Sequence, residues 1–161
     1  MILLKMKYHV WSFFGKVFYK IIYGRKVKIG RRVSWRQGFH LIIDKGSVEI
    51  GKNVFFNNYC SISSCCKVKI GDDSIFGENV KIYDNNHIFN TENLVRKAGM
   101  KSAPIIIGNN CWIGNNVCIL KGASMGNNCV VGAGTILRES IPNNTIIKPK
   151  NNVERNEIVR K

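Results

Sequence analysis

The feature that most constrains this chain is a six-residue beat. Ile107, Ile113, Ile119, Met125, Val131 and Leu137 follow one another at intervals of six. Two positions ahead of the last five stand Cys111, Val117, Ala123, Cys129 and Thr135, all small or β-branched. The same grid runs earlier through Ile50, Phe56, Ile62 and Val68, and resumes two residues out of phase at Ile70, Phe76 and Ile82. A period of six fits neither an α-helix nor an alternating strand. It fits a chain that runs straight briefly, turns a corner and repeats, so that three hexads close one triangular coil. Coil starts fall at Ile29, Ile50, Ile70, Ile107 and Met125, with spacings of 21, 20, 37 and 18. Stacked coils pair as parallel strands around a continuous aliphatic core. Corners such as "IGNN" at 107–110 and 113–116 and "MGNN" at 125–128 supply residues that tolerate positive φ.

The spacing of 37 marks one interruption, "KIYDNNHIFNTENLVRKAGMKSAP" from Lys81 to Pro104. It holds one coil plus an extruded loop over about 86–104, and long loops within compact domains are usually functional. His87, the only histidine between residues 44 and 147, stands where the loop begins. The charge is also unevenly placed. The chain carries +15 overall, and residues 1–43 hold ten Lys/Arg and no acid. A localised basic segment points to an anionic partner. No nucleic-acid recognition module is visible, and none is expected to bind.

Cys60, Cys66, Cys111 and Cys129 fall on the small inward position and read as core. Cys65 and Cys118 lie off it, with no neighbouring base to activate them. No Cys-x-x-Cys or Cys/His spacing suggests a metal site, so none is expected. Nor does a cleavable leader pattern open the sequence, because Lys5 and Lys7 interrupt its apolar start. Reduced thiols in the cytoplasm are the expectation.

A run of [Leu/Ile/Val]-Gly-x-x-small-x hexads resembles the hexapeptide-repeat acyltransferases. The resemblance covers about residues 50–147 and is nearest the galactoside/maltose acetyltransferase-like branch, which includes polysaccharide O-acetyltransferases. Its specific pieces are "FNNYCSI" at 56–62, "IGDDSIFGENVKIYDNNH" at 70–87, "LVRKAGMKSAPIIIGNNCWIG" at 94–114 and "VVGAGTILRESIPNN" at 130–144. It implies an all-β fold: a left-handed parallel β-helix over 29–147 with one extruded loop. A basic N-terminal helical segment, 1–28, precedes it and a basic tail, 148–161, follows. Two stretches depart from the pattern. "TIIKPKNN" stands where the family has a Gly-x-Pro element near the coenzyme, and a different basic, aromatic segment replaces the usual N-terminal helices.

The resemblance further implies an acetyl-CoA-dependent O-acetyltransferase that acts on a carbohydrate hydroxyl of a surface polysaccharide or its precursor. It would work as a homotrimer, with His87 of one subunit facing Trp112 of another. Alternatives are N-acetylation of an amino sugar or other small acceptor, and a nonenzymatic β-helix scaffold. A γ-type carbonic anhydrase is disfavoured because three zinc-binding histidines are wanted, and His9 and His40 lie too far N-terminal to join His87. By the resemblance His87 is the general base, a role that suits an imidazole with a reference pKa of about 6.5. Asn57 would bond acceptor or donor. Asp84 and Asn85 would orient the imidazole or contact the acceptor, although Asp84 could equally cap its turn. Trp112 would lie against the pantetheine, Asn115, Ala133 and Arg138 would line the coenzyme arm, and Lys121, Arg138, Lys148 and Lys150 would meet its phosphates.

In the N-terminal segment, Leu3, Met6, Val10, Phe14, Val17 and Ile21 form a helical stripe, with lysines at 5, 7, 16 and 20 around it. Two readings stay open: an amphipathic helix on an anionic membrane surface, or a helix packed over the open end of the β-helix or across a trimer. The first would place the protein peripherally at the inner face of the membrane.

Overall fold

The computed structural model describes residues 2–90, 92 and 94–149, with side chains from Tyr8 onward except His9. The side chains of Leu3, Lys5, Met6 and Lys7, together with Lys150 and the tail beyond it, lie outside the described residues.

Short strands wind into a three-faced prism. Face one stacks Val27–Ile29, Ser47–Ile50, Lys67–Ile70, Ile105–Ile107, Ser124–Met125 and Ser140–Ile141. Face two stacks Ser34–Trp35, Phe55–Phe56, Ile75–Phe76, Trp112–Ile113, Val130–Val131 and Ile146–Ile147, and face three His40–Ile43, Ser61–Ser64, Lys81–Tyr83, Cys118–Leu120 and Ile136–Leu137. All pairing within the faces is parallel. The coil starts read from spacing lie in one column of face one: Ile29, Ile50, Ile70, Ile107 and Met125 are Cα partners in turn. A sixth, Ile141, continues that column only sixteen residues after Met125.

Inside the prism each column is nearly uniform. Leu41, Ile62, Ile82, Ile119 and Leu137 fill face three, and Trp35, Phe56, Phe76, Ile113 and Val131 fill face two, all buried. Each such side chain contributes about 1.5–3 kcal/mol on leaving water. Phe39, Phe56 and Phe76 continue a ring column from Trp35, with centroids 4.8, 4.9 and 4.5 Å apart.

Cys60, Cys111 and Cys129 are buried as expected, but Cys66 is exposed. The core position of that coil belongs instead to Ser64, which follows Ile43 in its column and precedes Asp84. The corners also divide their labour differently from the expectation. The second asparagine takes the positive φ, at Asn110, Asn116 and Asn128. Gly108 is needed for close approach, since a Cβ there would lie 2.5 Å from the Gly126 carbonyl oxygen of the next coil.

The N-terminal segment forms α1 (Ile2–Tyr23), which lies over the first coil. Ser12 Oγ accepts from the Trp35 N–H at 2.9 Å, an edge donor with no preceding coil to bond. The Tyr23 and Tyr19 hydroxyls donate to the edge carbonyls of Leu41 and Phe39 at 3.2 and 3.4 Å. A polar and aromatic face thus seals the sheet edge. The apolar stripe read from the sequence is not what packs: Val10, Phe14, Val17 and Ile21 are all exposed.

Candidate active site

The interruption is a hairpin that leaves the vertex between faces three and one. Along Lys81–Tyr83 the side chains alternate, so Ile82 points inward, and Asp84 at the end of the strand is also buried. Asn85–His87 then pairs antiparallel with Met100–Ser102, placing His87 opposite Met100. The Ala103 N–H closes the base on the Asp84 carbonyl at 2.9 Å, and Ile105 rejoins face one beside Val68. His87 is exposed at this vertex, where the sequence placed it.

Asp84 holds the place where the hairpin departs. Its carboxylate accepts from Ser64 Oγ at 2.7 Å and from the Cys65 and Cys66 N–H groups at 2.7 and 2.9 Å. The Asn85 amide donates to the same carboxylate at 3.2 Å and to Ser63 Oγ at 3.3 Å. Of the two readings open for Asp84, capping the turn is the one these contacts describe. Turning both amides of 65–66 onto a buried carboxylate also explains why the Cys66 side chain faces out.

The other candidate residues form a second group. Asn57 lies at the vertex between faces two and three, and its Oδ1 accepts from Arg36 Nη1 at 3.0 Å and from the Asn58 N–H at 2.9 Å. Both bonds fix the carboxamide, and its nitrogen meets no acceptor among the described residues. Asn115 lies at the same vertex, and its Oδ1 accepts from the Glu78 N–H at 2.8 Å. Exposed Ala133 follows one coil later, beside Gly134, whose N–H donates to the Asn115 carbonyl at 2.8 Å. Trp112 points outward from face two as expected, 55% exposed. Lys148 is exposed just past the last strand of that face. Lys121 and Arg138 belong with His87, at the vertex between faces three and one. Within one chain, then, His87, Asp84, Asn85, Lys121 and Arg138 share one vertex. Asn57, Asn115, Ala133 and Lys148 share another, and face three lies between.

Sequence reading missed Arg36. Its guanidinium lies 5.5 and 5.6 Å from the ring centroids of Tyr8 and Phe55. Its buried Nε has no hydrogen-bond partner among the described residues. The available signal was spacing, because Arg36 precedes Asn57 by one coil of 21 residues. Beside it a groove of about 580 Å³, lined by Tyr8, Trp11, Trp35, Gln37 and His40 among others, opens between α1 and the first coil. Aromatic walls with a few hydrogen-bonding groups suit a ring-shaped polar ligand.

Four of the six thiols are held in their less reactive, protonated form. Burial pushes the Cys60, Cys111 and Cys118 thiols above their usual pKa, and it does the same at Cys65 with help from Asp84 and Asp44. Raised values keep them protonated near neutral pH.

Comparison with known proteins agrees with this architecture. Residues 104–139 match the bacterial transferase hexapeptide (six repeats) family. The chain is 40% identical to the galactoside O-acetyltransferase of Escherichia coli K12 over 62% of its length and 49% of the relative's. It is 35% identical to WbbJ of the same organism, named as a lipopolysaccharide biosynthesis O-acetyl transferase, over 64% of this chain and 57% of that one. It thus spans about half the length of these curated relatives. Among solved structures, a hexapeptide-repeat-containing acetyltransferase of Vibrio cholerae complexed with acetyl coenzyme A superposes with a TM-score of 0.67. The two are 27% identical, and the match covers 75% of this chain and 65% of that one. The resemblance to the hexapeptide-repeat acyltransferases, drawn first from the motifs, is therefore borne out by family match, by sequence relatives and by fold.

Proposed function

We propose that the protein is an acetyl-CoA-dependent acetyltransferase whose acceptor is a carbohydrate hydroxyl. The observation that carries this reading is His87, exposed on the first strand of a hairpin that breaks an otherwise unbroken prism. The named activities of the sequence relatives and the acetyl coenzyme A of the structural neighbour support it. The imidazole takes the acceptor's hydroxyl proton as the oxygen attacks the thioester carbonyl. The tetrahedral adduct then collapses with cleavage of the C–S bond, and the imidazolium returns the proton to the departing thiolate. Asp84 and Asn85 act as positioning residues that fix the strand carrying the base.

The donor's pantetheine lies against Trp112 and the ledge at Asn115 and Ala133, and its phosphates meet Lys121, Arg138 and Lys148. Because these groups occupy two vertices, one complete site takes the His87 vertex of one copy and the Asn57–Trp112 side of its neighbour. A homotrimer satisfies this requirement three times over. Asn57, whose carboxamide oxygen is fixed by Arg36 and the Asn58 N–H, and the aromatic groove beside Arg36 bind the acceptor.

The test is release of free coenzyme A thiol from acetyl-CoA with a panel of oligosaccharide and amino-sugar acceptors. Turnover is expected with hydroxyl acceptors, and His87→Ala lowers kcat by about 10²–10⁴-fold without changing the melting temperature. Full activity in His87→Ala defeats the reading. Product bearing an amide instead of an ester assigns the acceptor as an amine.

A further inference from the structure

The face of α1 turned away from the prism has no partner among the described residues. At about 100° per residue, Val10, Phe14, Val17 and Ile21 lie opposite the docked Ser12, Tyr19 and Tyr23. Phe14 is 65% and Ile21 78% exposed, and Trp11, Phe13, Phe18 and Ile22 at the margins are exposed as well. A contiguous apolar stripe of this kind marks an interaction surface, unlike scattered surface hydrophobics. No helix among the described residues is long and apolar enough to cross a membrane, so α1 would lie along its partner.

Beside the stripe a cleft of about 490 Å³ opens between α1 and Val27–Ile29. Lys16, Lys20 and Lys28 line it together with Val17, Ile21 and Val27. Partial burial holds the Lys16 ammonium below the usual lysine pKa. Among the described residues the carboxylate paired with these lysines is Glu49, which lies 3.7 Å from Lys28 and the same distance from Lys67. Residues 1–43 contain no acid at all.

These features choose among occupants. A second copy docked through the same segment would bring ten Lys/Arg and no acid against an identical set. An anionic bilayer matches both parts, because its acyl boundary receives the stripe and its headgroup phosphates meet the lysines. We propose that α1 seats the protein on an anionic lipid bilayer, with the Val10–Phe14–Val17–Ile21 stripe in the interface and Lys16, Lys20 and Lys28 at the phosphates. This does not depend on the catalytic reading, since no residue of the candidate active site takes part.

Flotation of the full chain with phosphatidylcholine vesicles, with and without phosphatidylglycerol, tests it. Binding is expected only with phosphatidylglycerol and weakens with added salt. Phe14→Asp/Ile21→Asp abolishes it, and Lys16→Gln/Lys20→Gln/Lys28→Gln weakens it roughly a hundredfold, at about fivefold per lysine. If the aspartates impair folding, the milder Val17→Ser/Ile21→Ser pair is read instead. Protein that stays in the soluble fraction, floats equally with neutral vesicles, or ignores the stripe variants overturns the proposal. Sedimentation velocity on the same variants covers the other occupant: an oligomer that splits while flotation is unchanged assigns the stripe to a second copy, and the proposal falls.

Discussion

Two vertices of the prism solve the same problem by opposite means. Between faces one and two, the corner is stitched by repeated side chains. The Asn109 and Asn127 N–H groups donate to the Oδ1 of Asn127 and Asn143 at 2.8 and 2.7 Å, one coil on. The Asn110 and Asn128 amides donate to Asn128 and Asn144 at 3.0 and 3.1 Å. Between faces three and one, the chain leaves for a hairpin, and a single buried carboxylate, Asp84, gathers the donors a repeated residue would have served. The difference teaches where this fold keeps its freedom. A ladder makes each coil answer to the next, whereas a one-off anchor releases the following residues from the beat, and His87 uses that release.

If the anchor is as concentrated as its contacts suggest, Asp84→Asn is the severest test. It places an amide among four donors and should lower unfolding stability by on the order of 3 kcal/mol in urea titration. A loss no larger than that of a ladder residue would erase the contrast. Asn128→Ala probes the other side: it removes two exposed ladder bonds and puts a Cβ-bearing residue without a polar tip at φ 56°. A cost of about 1–2 kcal/mol is expected in the same titration, with most of it recovered by Asn128→Gly. The finest distinction is chemical. In native protein a thiol reagent should modify Cys66 and leave Cys60, Cys111 and Cys129 untouched until denaturant is added. Equal rates would mean that the stitched corners open as readily as the anchored one.

Most of the fold was legible in the sequence because the period of a stacked coil is its register. Ile29, Ile50, Ile70, Ile107 and Met125 could be aligned by counting, and the structure pairs them. Ile141 escaped because its coil is shorter. Cys66 was misplaced because the grid shifts phase between Val68 and Ile70, so position 64, not 66, turns inward. The hairpin strands at 85–87 and 100–102 carry mostly polar, exposed side chains, which leave no alternation to detect.

Helical period located the stripe of α1 but could not say which face docks. Hydroxyls decided that: Ser12, Tyr19 and Tyr23 meet unpaired backbone groups of the first coil, a gain invisible to hydropathy. His87 and Asn57 were both named as candidates from motif. Their separation on two vertices depends on where the corners fall in space, which spacing alone does not reveal.

The passage from Ile70 to Ile107 takes 37 residues, against 18 for the coil after it. Doubling the path between two stacked positions adds only about 0.6 kcal/mol of chain entropy. One extra residue within a strand would instead turn every later side chain of that strand to the wrong side. Insertions of a dozen residues or more can therefore be exchanged at a bend while single additions to a straight run cannot, so diversification of such a scaffold should concentrate at its bends.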